Sequence, residues 1–381
     1  MDDWRLLYGG AWARVREALR LSRPGGRPRI AAVIAAGLVP WIVTLILAYL
    51  GGRSEAVRMV LEDLGVSVRL LLAVPILLID EYRVDNRISL ILPAVTAGGF
   101  LPAGDREAWE GQVAGTRRRV TSGATLLVLA AIVVSLIVSS LAHPANSASA
   151  EWMQGMDFMG LSWAGAWYTV VARPIFLFLG LLWLWRWLSI SFFIWRTTRA
   201  PLELQPSHPD RMGGMAIFMW LVTAVLALIF SASAVVSAEV YYEMAHHGGT
   251  LRSMAPLLIA FVVMALLVAL GPLLLFAPLL GRLRRRALYQ YGILAAQHSG
   301  QFEKKWFTRE APRDELMGAP EISSLTDLAS AYFVAQSIQT VPFGRGTILG
   351  VALAAAVPMI PCVLLEIPLQ EIVSRIAKFL M

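Results

Sequence analysis

The chain has 381 residues, 57% of them hydrophobic and only 15% charged, with a mean hydropathy of +0.63. So little charge cannot cover a soluble globule of this size, so the composition selects a membrane protein. The net charge is +7, but the basic residues flank apolar runs and form no separate basic domain, which argues against a nucleic-acid partner. A single cysteine, Cys362, excludes intrachain disulfides, thiolate metal cages and c-type haem attachment.

Residues 1–29 read as an N-terminal cytoplasmic segment with an amphipathic helix over 3–20. Trp4, Tyr8, Trp12, Val15 and Leu19 share one face, with Arg5, Arg16 and Arg20 along its edge. Such a helix suits a leaflet of anionic lipid, or it packs on other parts of the protein; the pattern allows both. Asp2, Asp3 and the arginines argue against a signal peptide, and Arg23-Pro24-Gly25-Gly26 ends the helix.

Apolar runs follow at 30–50, 65–80, 122–142, 167–195, 214–238, 255–280 and 346–366. Each approaches the length needed to cross a hydrocarbon core of about 30 Å. The connecting segments alternate in arginine. Residues 83–119 carry Arg83, Arg87, Arg106, Arg117, Arg118 and Arg119, whereas 143–166 carry no Lys or Arg. The alternation places the N-terminus, 84–121 and 281–345 inside and 143–166 outside. The expected fold is all-α and polytopic: a six-span core over 30–280 with an inner loop at 84–121, a cytoplasmic helical hairpin over 281–345, and 346–381 as a seventh span with an outer amphipathic helix. Pro358 and Pro361 leave a re-entrant hairpin open for the last span. Within it Gly346, Gly350 and Ala354 recur every four residues, as in a close helix contact.

Charges inside apolar runs are the first site candidates, because an unpaired charge in hydrocarbon is expensive. They are Arg69, Arg173 and Arg186, with Asp80 and Glu366 at span ends. By depth, Arg69 and Arg173 match Glu239 or Glu366, and Arg186 matches Asp80 or Glu81. Arg69 and Asp80, eleven residues apart, share a face of a regular helix. These charges either line a transport path or form structural ion pairs with snorkelling side chains.

A second group lies at the outer end of the fifth span. Glu239, Glu243, His246 and His247 fall on one helical face, and His143 or Asp157 could add ligands from the outer loop. Carboxylate and imidazole can hold a divalent metal, yet one helix supplies too few donors, and a solvated helix end explains the same residues. A third group is His208-Pro209-Asp210 with Gly213-Gly214: His208 beside a carboxylate suits proton transfer or metal binding, while Asp210 as a cap and the glycines as close-packing positions make it structural. The aromatics Trp183, Trp185, Trp187, Phe192, Phe193 and Trp195 read as an interfacial belt.

The strings His208-Pro209-Asp210-Arg211-Met212-Gly213-Gly214, Tyr291-Gly292-Ile293-Leu294-Ala295, Phe302-Glu303-Lys304-Lys305-Trp306, Ser324-Leu325-Thr326-Asp327-Leu328 and Val341-Pro342-Phe343 together resemble a widespread family of uncharacterised bacterial multi-pass inner-membrane proteins. The resemblance implies that topology and location and brings no activity. No phosphate loop, nucleophile elbow or paired-cysteine motif is present. The expected function is therefore a transporter or channel, able to form a homo-oligomer, with the arginines near its pathway. A metal-dependent membrane enzyme using the outer Glu/His group, or a scaffold binding partners through 281–345, are the alternatives.

Overall fold

The computed structural model describes residues 4–51, 54–142, 151–307 and 320–366. The chain is built almost wholly of helix: α1 Gly10–Ala18, α2 Ile30–Leu50 and α3 Ser54–Glu62 open it. Helix α4 runs through Leu64–Ser67, a π-helical Val68–Ala73 and Val74–Ala97. Helices α5 Arg106–Thr121 and α6 Gly123–Ala142 follow, then a short strand, Gln154–Phe158. Helix α7 comprises Trp163–Trp167, a second π-helical stretch at Tyr168–Ala172, and Arg173–Thr197. Then come α8 Trp220–His246, α9 Leu251–Leu274, α10 Ala277–Trp306, α11 Pro320–Gln336 and α12 Arg345–Ala356.

Among the described residues six helices are long and apolar enough to cross a membrane: 30–50, 106–142, 163–197, 215–246, 251–274 and 345–364. They carry exposed rows of large apolar side chains, such as Ile34, Leu38, Ile42 and Ile46 on α2 and Leu127, Val134 and Val138 on α6. Rows of this kind are stable only against lipid, so the chain is an integral, multi-pass membrane protein. The run expected at 65–80 lies in α4, which is too charged to count among the six. It crosses between the same two ends of the bundle, packed against α2, α7 and α8. Leu70, Leu77, Leu78, Ile88, Ile91 and Leu92 are buried along it, while Leu71 and Leu90 are exposed.

One end of the bundle gathers Asp63, Trp152, Tyr168, Glu239, Leu251 and Glu366. The other gathers residues 4–29, the second half of α4, the 198–214 loop and the α10–α11 hairpin. Bundle geometry thus sorts the connecting segments into the two groups that the arginine alternation does.

Several local expectations are revised. The inner loop expected at 84–121 is helix as far as Ala97, because Val84, Asp85, Ile88, Ile91, Leu92 and Val95 are all buried in the core. Both π-helical stretches precede a proline, Pro75 and Pro174. A proline lacks the N–H that the carbonyl four residues back would use, and a wider turn absorbs the mismatch. The wider turn also rotates Arg69 relative to Asp80, so the shared face expected of an unbroken helix is lost. The terminal helix is shorter than 3–20, since Gly9 (φ +137°) and Gly10 (φ +65°) break it. Ala13 and Arg16 face inward beside Trp12 while Val15 and Leu19 are exposed, so the face that packs on the protein only partly overlaps the one expected. Along 345–364 the packed stripe is Val351, Ala355 and Met359; nothing lies within 4 Å of a Cβ built on Gly346 or Gly350. Helix 345–364 is continuous through a 3-10 turn at Val357–Met359, and Ser233 donates to the Ala355 carbonyl beside that break. The amphipathic helix expected at 369–381 lies outside the described residues.

Candidate functional site: two charged groups on the central helix

Helix α4 carries one charged group in each half, partly exposed near its first end and buried in the other half. Near the first end, the Arg69 guanidinium donates to Tyr168 Oη at 2.9 Å and pairs with Glu239. The π-helical stretches of α4 and α7 supply Arg69 and Tyr168, and α8 supplies Glu239. Gly65 makes room: a Cβ there would lie 2.6 Å from Glu239 Oε1 and 3.3 Å from an Arg69 nitrogen. Asp63 closes the group, with Oδ1 accepting from the Val66 amide at 3.1 Å and Oδ2 from the Trp152 indole at 3.1 Å. The expected Arg69–Glu239 pair is present. Arg173 is half-buried and has no ion pair among the described residues. Glu366 pairs with neither arginine; it accepts from the Leu251 amide at 2.5 Å and satisfies a free donor at the start of α9.

In the other half, Glu81 sits between two arginines. Arg16 Nη1 is 2.9 Å from its Oε1 and Arg186 Nη1 is 3.1 Å from its Oε2. The Trp12 indole donates to Oε2 at 2.9 Å. Both arginines and Glu81 are buried. One turn on, Asp85 accepts from the Leu7 amide at 2.7 Å, tying the segment before α1 to the same helix. Two guanidiniums share one carboxylate, and Arg16 Nε, Arg16 Nη2 and Arg186 Nε are buried without hydrogen-bond acceptors among the described residues. Asp80 Oδ2 is likewise unpartnered. Burial of such atoms is costly, so the group is either strained or completed by something with acceptors. The expected Arg186–Glu81 contact is thus present; Arg16, Trp12 and Asp85 are additions from outside the apolar runs.

The outer Glu/His residues disperse. Glu239 is taken by Arg69, His247 Nδ1 lies 3.2 Å from Glu243, and the His246 ring stacks on Tyr242 at 4.5 Å. Among the described residues no three His, Cys, Asp or Glu side chains gather as a metal site, and Asp157 joins no such group. His143 lies outside the described residues.

The His208-Pro209-Asp210 string is a turn held by its carboxylate. Asp210 Oδ1 accepts from the Met212 and Gly214 amides at 2.8 and 3.1 Å, and Oδ2 accepts from Ala216 at 3.1 Å. His208 Nδ1 is 2.8 Å from Oδ1. Burial pushes the Asp210 carboxyl upward, but the three amides and His208 outweigh it and hold it below the usual range. Gly214 (φ +96°) has the Phe100 ring where a Cβ would be, 2.1 Å away. The Arg211 carbonyl accepts from the Gln339 amide at 2.9 Å, joining the turn to the end of the hairpin. His298 lies apart from this turn, 2.9 Å from Ser324 between α10 and α11.

The aromatic set divides. Trp183 and Trp187 are buried and donate to the carbonyls of Leu77 and Val268, each at 3.0 Å. Phe193 is buried against Trp109. Phe192 and Trp195, under Arg119 and Arg199 at 4.8 and 4.0 Å, keep the character of a belt. No family model matches the chain, and neither a curated protein nor a solved structure matches it.

Proposed function

We propose that this multi-pass membrane protein is a transporter or channel for a small anion, sited in a bacterial inner membrane with its N-terminus cytoplasmic. The observation that carries the reading is the Arg16–Glu81–Arg186 group: a buried site with more guanidinium donors than acceptors. An anion entering it would satisfy those donors. The Arg69–Tyr168–Glu239 group is a second polar station on the same helix, set in π-helical backbone of the kind found at functional sites. Proline-broken helices that carry charge fit the way transporters build sites in membranes. Leu70, Leu77 and Leu78 pack between the two stations, so passage requires a change of conformation or a path between subunits of a homo-oligomer. The arginine alternation supports the orientation and brings anionic lipid to the N-terminal side. The motif strings support kinship with the uncharacterised inner-membrane family they resemble.

The test is flux. The purified full chain is reconstituted into liposomes, and efflux of chloride, nitrate, phosphate and small carboxylates is followed. Efflux above that of empty liposomes, lowered by Arg186→Gln and by Arg69→Gln in folded protein, is expected. No efflux of any of these anions, in either direction of an applied potential, overturns the reading.

A further inference from the structure

The segment between α1 and α2 is a built hairpin rather than a slack tether. The Arg23 amide donates to the Arg27 carbonyl at 2.8 Å and the Arg29 amide to the Leu21 carbonyl at 2.9 Å. Gly25 (φ +87°) and Gly26 (φ +79°) make its turn. Tyr8 anchors that turn: its hydroxyl accepts from the Gly25 amide at 2.9 Å and donates to Glu17 at 2.5 Å. A Cβ on Gly26 would meet the Tyr8 ring at 2.7 Å, so only glycine lets the two approach.

The anchored hairpin displays Arg20, Arg23, Arg27 and Arg29, all exposed. Residues 18–30 contain no carboxylate, and none of these four arginines has an ion pair among the described residues. They stand at the entry to the first membrane-crossing helix, which is the depth of lipid headgroups.

Directly beside them is a groove of about 710 Å³ between α2, α6 and α7. Every residue lining it is apolar, from Leu19 and Leu21 at the hairpin to Ala36, Val133 and Phe178 farther along. Small residues open it: Ala32, Ala35 and Ala36 on α2 and Ala130 on α6 lie where larger side chains would fill the space. Leu19 and Leu21 belong to the groove while Arg20, between them, is exposed. One end of the groove is therefore cationic and the rest is hydrocarbon.

We propose that the groove and the hairpin bind one anionic phospholipid, with an acyl chain along α2 and α6 and the phosphate among Arg20, Arg23, Arg27 and Arg29. Charge complementarity selects the occupant: an uncharged apolar molecule leaves the arginines unused, and a free phosphate leaves the groove unused. The proposal makes specific the lipid contact inferred above and does not depend on transport, so flux and lipid retention can fail separately.

The experiment is native mass spectrometry of the delipidated full chain in detergent, with equal amounts of phosphatidylglycerol and phosphatidylcholine of the same acyl length. Retention of one phosphatidylglycerol with about tenfold preference is expected. Replacing the four arginines by glutamine abolishes the preference while chain binding persists. Ala36→Phe, which fills the groove, lowers binding of both lipids; Ala130→Phe serves if the first variant does not fold. Equal retention of the two lipids by the unaltered chain overturns the proposal, as does retention unchanged by both kinds of variant. Full displacement of phosphatidylglycerol by millimolar inorganic phosphate would instead assign the arginines to a free anion and overturn the lipid assignment.

Discussion

Arg16 stands 2.9 Å from Glu81, so a residue of the short terminal helix reaches into the middle of the bundle. Its partner also holds Arg186 from α7 and the Trp12 indole. Removing one member of a buried ionic group leaves another unpaired, and the cost depends on how many are left. Glu81→Gln strands two guanidiniums, whereas Arg16→Gln leaves Glu81 with Arg186. Thermal unfolding in detergent is expected to show a loss of about 3–5 kcal/mol for Glu81→Gln and a smaller one for Arg16→Gln. Both variants are expected to free the terminal helix, read as faster trypsin cleavage at Arg14 and Arg20. Equal stability of Glu81→Gln and the unaltered chain would show that the group is not what holds this helix.

Trp187 and Val268 give a second relationship with a local cause. Val268 lies four residues before Pro272, whose nitrogen has no hydrogen to donate back to it. The Trp187 indole fills that place at 3.0 Å. Trp187→Phe keeps most of the apolar contact and removes the donor, at an expected cost of about 1 kcal/mol. Pro272→Ala supplies a backbone N–H and is expected to reduce that cost, so the two changes should be non-additive in a double-mutant cycle. Strict additivity would assign the indole to packing alone.

Much of the architecture was legible because bilayer length and arginine asymmetry are both written into composition. The runs at 30–50 and 122–142 needed no packing information, whereas the one at 255–280 is cut short, its helix ending at Leu274 just after Pro272. Residue depth was legible for the same reason: it matched Arg69 and Arg173 to Glu239 or Glu366 and Arg186 to Asp80 or Glu81, and of these Arg69–Glu239 and Arg186–Glu81 pair. Azimuth was not. A regular helix puts Arg69 and Asp80 on one face, and the π-helical turn before Pro75 undoes that phase. The partners contributed by residues outside the apolar runs were also hidden. Arg16 reads as the edge of a surface helix until Gly9 and Gly10 reset its phase, and Asp85 reads as an ordinary loop acid until α4 proves continuous. The outer Glu/His face failed for a different reason: shared helical phase says nothing of competing partners, and Arg69 and Tyr242 claim Glu239 and His246.

The proposed orientation is open to labelling, because the chain has one cysteine, Cys362, and it is buried. A new cysteine at Glu151, at the end of the bundle near Asp63, is expected to react in intact cells with a membrane-impermeant maleimide. One at Tyr289, exposed on α10, is expected to react only after permeabilisation. The reverse pattern would invert the topology, and reaction at both sites in intact cells would place α10 on the outer side.

Asp210 gives a pH-dependent prediction at a site outside the membrane-crossing segments. Its carboxylate accepts from the amides of Met212, Gly214 and Ala216, and these bonds favour the charged form. Its folded-state value is therefore lower than its unfolded one. A depressed carboxyl contributes stability that is fully present above the unfolded value, about 3.9, and is lost as pH falls through the folded value. Between pH 5 and pH 8 this residue should give a flat stability profile, with the loss confined to the acid side of about pH 4. Asp210→Asn retains one acceptor oxygen and loses the charge; Asp210→Ala loses all three bonds. Expected costs at neutral pH are about 1–2 kcal/mol for the first and somewhat more for the second. Because the same turn meets Phe100 and Gln339, the loss should appear as faster hydrogen exchange at 205–216 and 338–343 before the spans open. An Asp210→Ala protein with unchanged exchange in both segments would remove the turn as the joint between the loop and the hairpin.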